Sequence, residues 1–573
     1  MPGVNIINTE SFAEIRQNYG YYVDKTGFLP SFLDGFLRDP GNAGRFRSPG
    51  SVTLFTRPRR FGKTLFMDML ASFFDITRDS RALFAGLKVS TCERLCAEWM
   101  NHYPVISLSL KDVCKPTYAR ALKRFQKIVC EFCEKHLYLL ASESVAQSDK
   151  KMLQNYLDCE ADEDTLALSL RTLSKAMRCH YKTPVVVLID EYDVPVSHAE
   201  ENGYYQDMID FMRDFLSSAL KSNQENLKFC ILTGCLRITK ESIFTGLNNV
   251  DCYDIAHASF SDTFGFTHDE VEQLLCDAGC TDKKSIVQEW YDGYHFGTRE
   301  DIYCPWSIMK YVRDLQNNPG TEPEAYWVGT SGNDLTKGFA KRIPAQVQNW
   351  ILCLLGGSSI AVPINKSLTY SSVYKDIDNF WSLLYLTGYL TLSGNAACCV
   401  NEPVSGSSIL AIPNREVREV FTTEVRDWFR DILPANERME LYAALWAQDV
   451  KTFEKILTSL LVYCSFHDSL EAYYHSMLFG LFAIQYFGTI SNGESGQGRY
   501  DIIVPDKLSM RACVLECKRI PEGDLEAKAL EAVQQIRKKG YDARLRAEGV
   551  KTIVHAGVAF SQKSCKVCFS CGS

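Results

Sequence analysis

Three polar clusters in this 573-residue chain have the residue types and spacing to handle phosphate. The first is Arg57-Pro58-Arg59-Arg60-Phe61-Gly62-Lys63-Thr64. Backbone N–H groups at a helix start attract anionic oxygens, a lysine reaches the outer phosphates, and a hydroxyl ligates Mg²⁺. Gly62, Lys63 and Thr64 supply those parts, with Arg60 beside them as a further phosphate contact. The second cluster is Asp190-Glu191-Tyr192-Asp193, in which Asp190 is placed to hold Mg²⁺ through water and Glu191 to polarise an attacking water. The third is Asp501 followed by Glu516-Cys517-Lys518. Two carboxylates form a hard oxygen site suited to Mg²⁺, and Lys518 is placed to position or activate a water for phosphodiester hydrolysis.

Each cluster needs elements to carry it. The apolar run Val52 to Phe55 reads as a strand feeding the first loop, and Leu65 to Leu70 as the helix that follows. Loops of this kind usually begin with glycine five residues before the Gly-Lys, where this chain has Arg57. Arginine resists backbone angles that glycine permits, and Pro58 stiffens the turn. The expectation is a reshaped cradle, or binding without efficient turnover; the plain alternative is a basic surface turn before an ordinary helix. The uninterrupted run Pro184 to Ile189 reads as a strand buried on both faces of a parallel sheet, which places sites at its carboxyl ends. Val105 to Leu110 and Leu227 to Gly234 are further strands. Thr233 ends the latter where it would sense a γ-phosphate, and Arg237 would contact phosphate in its own or a neighbouring subunit. Asn248 and Asn249 fall in a loop nearby.

Near the C-terminus, Asp501 begins one strand and Ala512 to Arg519 forms a second. Side chains two apart in a strand point the same way, so Glu516 and Lys518 share a face and Cys517 takes the other. A hairpin would bring Asp501 to Glu516. The helix from Leu525 to Gly540 offers Gln535 to the cluster and Lys538 and Lys539 to a phosphate backbone, while Glu471 and His475, one helical turn apart, would complete it. The plain alternative is an edge hairpin with solvated alternating charges. Cys565, Cys568 and Cys571 are closely spaced, yet a closed zinc site normally takes four ligands and no partner pair is evident.

A chain of this length calls for two or three domains. Its 46% hydrophobic and 23% charged content describes a globular protein, and a formal charge of −8 excludes a uniformly basic coat while leaving a local basic groove open. No signal-peptide pattern and no apolar run of membrane length are present, so the expected location is the cytoplasm with no membrane partner. Scattered cysteines read as reduced core thiols. Tyr21-Tyr22-Val23-Asp24-Lys25-Thr26 reads either as a lid over a base or as N-terminal packing. Thr267 and Glu270 form a capping box, and the aromatic segments Trp290 to Gly297 and Ile302 to Ser307 read as packing and interdomain contacts, with base stacking the alternative. Trp350 to Ala447 is mainly helical, with short strands near Gly388 to Leu392 and Ile409 to Ile412.

Tyr22-Val23-Asp24-Lys25-Thr26, Arg57 to Thr64, Leu188 to Asp193, Thr233-Gly234, Tyr291-Asp292-Gly293-Tyr294, Asn492 to Gly496 and Gly498-Arg499-Tyr500-Asp501 together resemble one family. It is the bacterial AAA-ATPase-like proteins that carry a C-terminal PD-(D/E)xK nuclease domain, and the resemblance spans nearly the whole chain. Arg57 at the first loop position looks like the family's usual form. The resemblance implies an α/β protein: a P-loop NTPase core with a parallel sheet over residues 1–265, a helical connecting region over 266–450, and a restriction-endonuclease-like domain over 451–573. The expected function is ATP binding and hydrolysis joined to metal-dependent cleavage of DNA, with ATP and Mg²⁺ as cofactors and Mn²⁺ as an alternative at the nuclease site. A homo-oligomer is left open. The rival from another class is a nucleotide-controlled binding switch whose C-terminal domain holds nucleic acid or protein without cutting; a small-molecule kinase would leave the third cluster unused.

Overall fold

The computed structural model describes residues 3–36, 51–237, 250–327, 345–366, 368–373, 376–394, 399–461, 471–483, 485–486, 488–491 and 494–571. They fall into two compact units, one of Met1–Glu324 with Ile364–Leu390 and one of Ala325–Pro363 with Thr391–Ser573. No described helix is long and apolar enough to cross a membrane.

The first unit is organised on five strands: β1 (Ser51–Thr56), β2 (Val105–Ser109), β3 (Val185–Asp190), β4 (Leu227–Gly234) and β5 (Val250–Tyr253). They pair in the order β2-β3-β4-β1-β5, every pair parallel. β1 and β3 are buried along their whole length, which is why their sequences run apolar without alternation. Because β4 lies between β1 and β3, the carboxyl ends Thr56, Gly234 and Asp190 come to one edge of the sheet. The helix Lys63–Phe74 starts there, its N-cap Gly62 at φ +83°, a left-handed angle that glycine adopts without steric cost. Phe28, Phe55, Phe66 and Phe264 pack against one another beneath it with ring centroids 4.8–6.1 Å apart.

The helix His268–Asp277 carries the expected capping box, Thr267 and Glu270 each bonding the other's backbone. A hairpin of β6 (Tyr294–Phe296) and β7 (Arg299–Ile302) follows, with Tyr291, Tyr294 and Phe296 buried as packing residues. The Tyr21 to Thr26 motif is pinned into the protein: Asp24 accepts from Thr26 and from the Lys88 amide, and Lys25 bridges Glu270 at 2.6 Å and the Asp262 carbonyl at 2.9 Å.

In the second unit, β8 (Ile360–Pro363), β9 (Thr391–Leu392) and β10 (Ser407–Ala411) form an antiparallel sheet with β10 in the middle. The strand expected near Gly388 to Leu392 is reduced to its last two residues, because Gly388 turns the chain at φ +88°. A larger sheet holds β11 (Ile490–Ser491), β14 (Ile502–Asp506), β15 (Arg511–Arg519), β16 (Thr552–Ser561) and β17 (Ser564–Cys571), in that order; β12 (Glu494–Ser495) and β13 (Gly498–Arg499) pair separately. β15 and β16 are parallel and the other neighbours antiparallel, so the helix Leu525–Lys539 falls within the crossover between them.

That helix comes unusually close to the sheet. A Cβ placed on Gly557 of β16 would lie 2.2 Å from the Ala529 carbonyl oxygen and 2.9 Å from the Ala532 methyl. Neither backbone can give way cheaply, so Gly557→Ala is expected to destabilise the second unit by about 1–3 kcal/mol. Urea unfolding against wild type reads this as a lowered midpoint; an unmoved midpoint would contradict the close packing.

Candidate functional sites

At the carboxyl edge of the parallel sheet, Asp190 is 4% exposed and both its oxygens are engaged. The Thr64 hydroxyl donates to Oδ2 at 2.7 Å from the first turn of its helix, and the Thr233 hydroxyl donates to Oδ1 at 2.5 Å from the end of β4. The structure thus brings together Thr64, Asp190 and Thr233, residues 126 and 43 positions apart from the carboxylate in sequence. A hydroxyl and a carboxylate are hard oxygen donors of the kind Mg²⁺ takes. A cavity of about 440 Å³ opens on this side, lined by Glu10, Ser11, Thr64, Asp68, Ser109 and Asp190 among others. A larger one, about 1120 Å³, lies elsewhere against Lys25, Phe28, Tyr253 and Glu270.

Lys63 is buried and folds over its own loop, its Nζ donating to the Pro58 carbonyl at 2.9 Å and the Arg57 carbonyl at 3.1 Å, with Cys235 Sγ at 3.8 Å. Burial alone would lower its pKa, but Cys235, Glu191, Asp190 and Asp193 outweigh that and hold the ammonium above its ordinary value. Glu191 sits at φ +52°, a strained angle for a non-glycine residue. Burial first, then Asp190 and Asp193, push its carboxyl up.

The expectation that Arg57 strains the loop is corrected. Arg57 does not take a left-handed angle; Arg60, at φ +68°, and Gly62 do. The Arg57 side chain is fully buried, donating to the carbonyls of Thr56 at 2.9 Å, Tyr253 at 2.7 Å and Phe260 at 3.0 Å, and lying over the Phe264 ring. It ties the loop to β5 and the turn beyond it. Arg60 lies over the Trp306 ring at 5.1 Å. Burial pushes the Cys252 thiol on β5 up to about 11, with the Arg237 guanidinium opposing. Asn248 and Asn249 lie outside the described residues.

Three residues without a role in the sequence reading, Asp193, Tyr192 and Tyr370, hold this edge together. Asp193 Oδ2 accepts from the amides of Cys235 at 2.9 Å and Leu236 at 3.0 Å, and from the Tyr370 hydroxyl at 3.2 Å. The Tyr192 hydroxyl donates to the Leu236 carbonyl at 2.7 Å. Gly234 makes room for this, since a Cβ there would meet Asp193 at 2.6 Å. Asp193 carried a signal, an acid inside a buried-strand terminus; Tyr370 carried none.

The third cluster assembles on the second sheet. Ile502 pairs with Leu515, and the next antiparallel step sets Asp501 beside Glu516, with Asp501 just ahead of β14 rather than inside it. Asp501 Oδ2 accepts from the Cys517 amide at 2.7 Å. Glu516 is 2% exposed; its Oε1 accepts from Lys518 Nζ at 2.9 Å and Gln535 Nε2 at 2.5 Å, whereas Oε2 is buried with no hydrogen-bond partner among the described residues. A buried carboxylate oxygen with no donor is costly, and a divalent cation is the partner its chemistry fits. Gln535 reaches Glu516 because Gly557 admits its helix to the sheet. Lys538 and Lys539 are exposed at that helix's end.

His475 Nε2 lies 3.0 Å from the backbone oxygen of Asp501; the side chain of Glu471 lies outside the described residues, as do Asn492 and Gly493. Cys565, Cys568 and Cys571 are spread along β17, where a spacing of three alternates faces and puts the outer pair roughly 20 Å apart.

Residues 6–244 match a family model described as "Predicted AAA-ATPase", and residues 469–570 match that of the PD-(D/E)XK nuclease superfamily. Along almost its full length the chain is also similar to a protein of Azotobacter chroococcum mcd 1 described as "Uncharacterized protein in vnfD 5'region". The two are 25% identical over 577 residues, covering 97% of this chain and 96% of that one.

Burial and the adjacent Asp501 raise the Glu516 carboxyl from its ordinary 4.5 to about 7, with Lys518 opposing. A raised carboxyl favours the protonated folded protein, so its contribution to stability is complete below pH 4.5 and is lost as pH rises through 7. Without metal, wild type is expected to lose about 3 kcal/mol relative to Glu516→Gln across that window, and Mg²⁺ at pH 8 to restore it. Urea midpoints measured against pH check this; parallel profiles for the two proteins would contradict it.

Proposed function

We propose that this chain, an AAA-ATPase-like module joined to a C-terminal domain of the PD-(D/E)XK nuclease superfamily, binds and hydrolyses ATP in its first unit and cleaves DNA in its second. The observation that carries the reading is Glu516, a buried carboxylate beside Asp501 with one oxygen held by Lys518 and Gln535 and the other without a hydrogen bond among the described residues. Asp501 and Glu516 would hold a divalent cation, Mg²⁺ or Mn²⁺, which when bound supplies charge neutralisation and a more acidic water. Lys518, 2.9 Å from Glu516, would orient the attacking water and carry positive charge toward the scissile phosphate. Gln535 holds the same Glu516 oxygen and so fixes its rotamer. Lys538 and Lys539, in the last turn of the same helix, would contact the phosphate backbone and position the strand.

In the first unit, Gly62 and the amides at the start of its helix would receive the phosphates, with Arg60 nearby. Lys63 would exchange the carbonyls of Arg57 and Pro58 for the outer phosphate oxygens. Thr64 and Asp190 would hold Mg²⁺, and Thr233, already on Asp190, would read the γ-phosphate through that shared carboxylate. Glu191, with its raised basicity, would take the proton of the attacking water. Arg237 would contact phosphate within the chain or from a neighbouring copy.

The test is cleavage of single- and double-stranded DNA by purified protein with Mg²⁺ or Mn²⁺. Asp501→Asn, Glu516→Gln and Lys518→Met, each with the wild-type circular dichroism spectrum, are expected to lose about 100-fold or more in rate. Lys63→Ala is expected to lose ATP binding. Cleavage unchanged in the three nuclease-domain variants would overturn the assignment. ATP-dependent partner binding with no cleavage under either metal would favour a nucleotide-controlled switch.

A further inference from the structure

The segment Ile364–Leu390 leaves the second unit after Pro363 and rejoins it at Thr391, yet it folds as part of the first. Inside that unit it touches the nucleotide-side edge at two places. Tyr370, 8% exposed, donates its hydroxyl to Asp193 Oδ2 at 3.2 Å. Gly388, at φ +88°, rests on the phosphate loop so closely that a Cβ there would lie 2.8 Å from the Pro58 Cβ.

Both contacts meet parts of the edge that answer to phosphate chemistry. Pro58 supplies one of the carbonyls that Lys63 now occupies. Asp193 fixes the amides of Cys235 and Leu236, which directly follow Thr233 and Gly234, and the Cys235 sulfur lies 3.8 Å from Lys63. Any shift of Lys63 or Thr233 therefore changes what Tyr370 and Gly388 rest on. The segment's two ends are equally well held. β8 runs into it and β9 out of it, and both pair with β10, Leu410 standing opposite Ile360 on one side and Leu392 on the other. A displacement of the segment would thus be delivered by covalent connection to one sheet of the second unit.

We propose that Tyr370 is a positioning residue through which the state of the nucleotide edge is passed to the segment 364–390 and along the chain to β8, β9 and β10. The inference rests on the ATP-binding reading above and adds the route of its regulation. A bound nucleotide shifts an equilibrium only if it interacts differently with two arrangements, and the Tyr370–Asp193 hydrogen bond is a contact that differs between them.

Hydrogen exchange on the full chain, with and without ATP and Mg²⁺, tests it in wild type and Tyr370→Phe. ATP affinity of the variant, from fluorescent-nucleotide titration, is expected within about fivefold of wild type, the worth of one hydrogen bond. In wild type, ATP is expected to slow exchange about tenfold at residues 62–66, 368–373 and in β8 and β10. In Tyr370→Phe the slowing should persist at 62–66 and vanish in β8 and β10; Gly388→Ala, which pushes the segment off Pro58, should behave alike. Equal slowing in β8 and β10 for wild type and Tyr370→Phe, or none there in wild type despite ATP binding, would overturn the coupling alone. Absence of ATP binding to wild type would overturn the coupling together with the reading beneath it.

Discussion

The carboxylate of Asp190 is where the first unit converges. It stands buried at the end of β3 with Thr64 on one oxygen and Thr233 on the other. A buried carboxylate without donors would cost several kcal/mol, so each hydroxyl is required where it is. That requirement is met only because β4 runs between β1 and β3, which sets the end of β4 and the helix after β1 on opposite sides of the same acid. Lys63, Glu191 and Asp193 then fall around it as neighbours in chain or strand, and their charges favour the Lys63 ammonium against the cost of its burial.

Glu516 faces the same physical problem in the second unit and meets it differently. Lys518 and Gln535 satisfy one oxygen, the other has no hydrogen-bond partner among the described residues, and burial beside Asp501 favours the protonated carboxyl. Asp190 is held by hydroxyls in a fixed arrangement, whereas Glu516 retains an oxygen available to a cation. The difference follows from elements: Asp190 is flanked by a strand end and a helix start that each carry a threonine, while Glu516 lies within β15 and is approached across the sheet by one helix.

Much of this was legible in the sequence. Apolar runs without alternation marked the buried parallel strands, and their terminal polar residues marked the edge. Thr267 and Glu270 announced their helix through a local bond, and the spacing of Glu516 and Lys518 announced a shared strand face. What escaped depends on distant partners. The loop glycine expected at position 57 is replaced by an arginine whose role is set by the carbonyls of Tyr253 and Phe260, some 200 residues away. Gly557 is one small residue in an apolar strand until a helix backbone lies within 2.2 Å of its absent Cβ. Tyr370 sits in a stretch without motif, and only the fold returns it to Asp193.

We propose that one chain joins a nucleotide edge to a carboxylate cluster so that the first governs the second. The most direct measurement is the single-turnover rate of DNA cleavage in Mg²⁺ with no nucleotide, ADP, ATP and a non-hydrolysable ATP analogue. Rates are expected to separate by nucleotide state, by about fivefold or more, as for a coupling free energy of about 1–3 kcal/mol. Equal rates in all four conditions would contradict it.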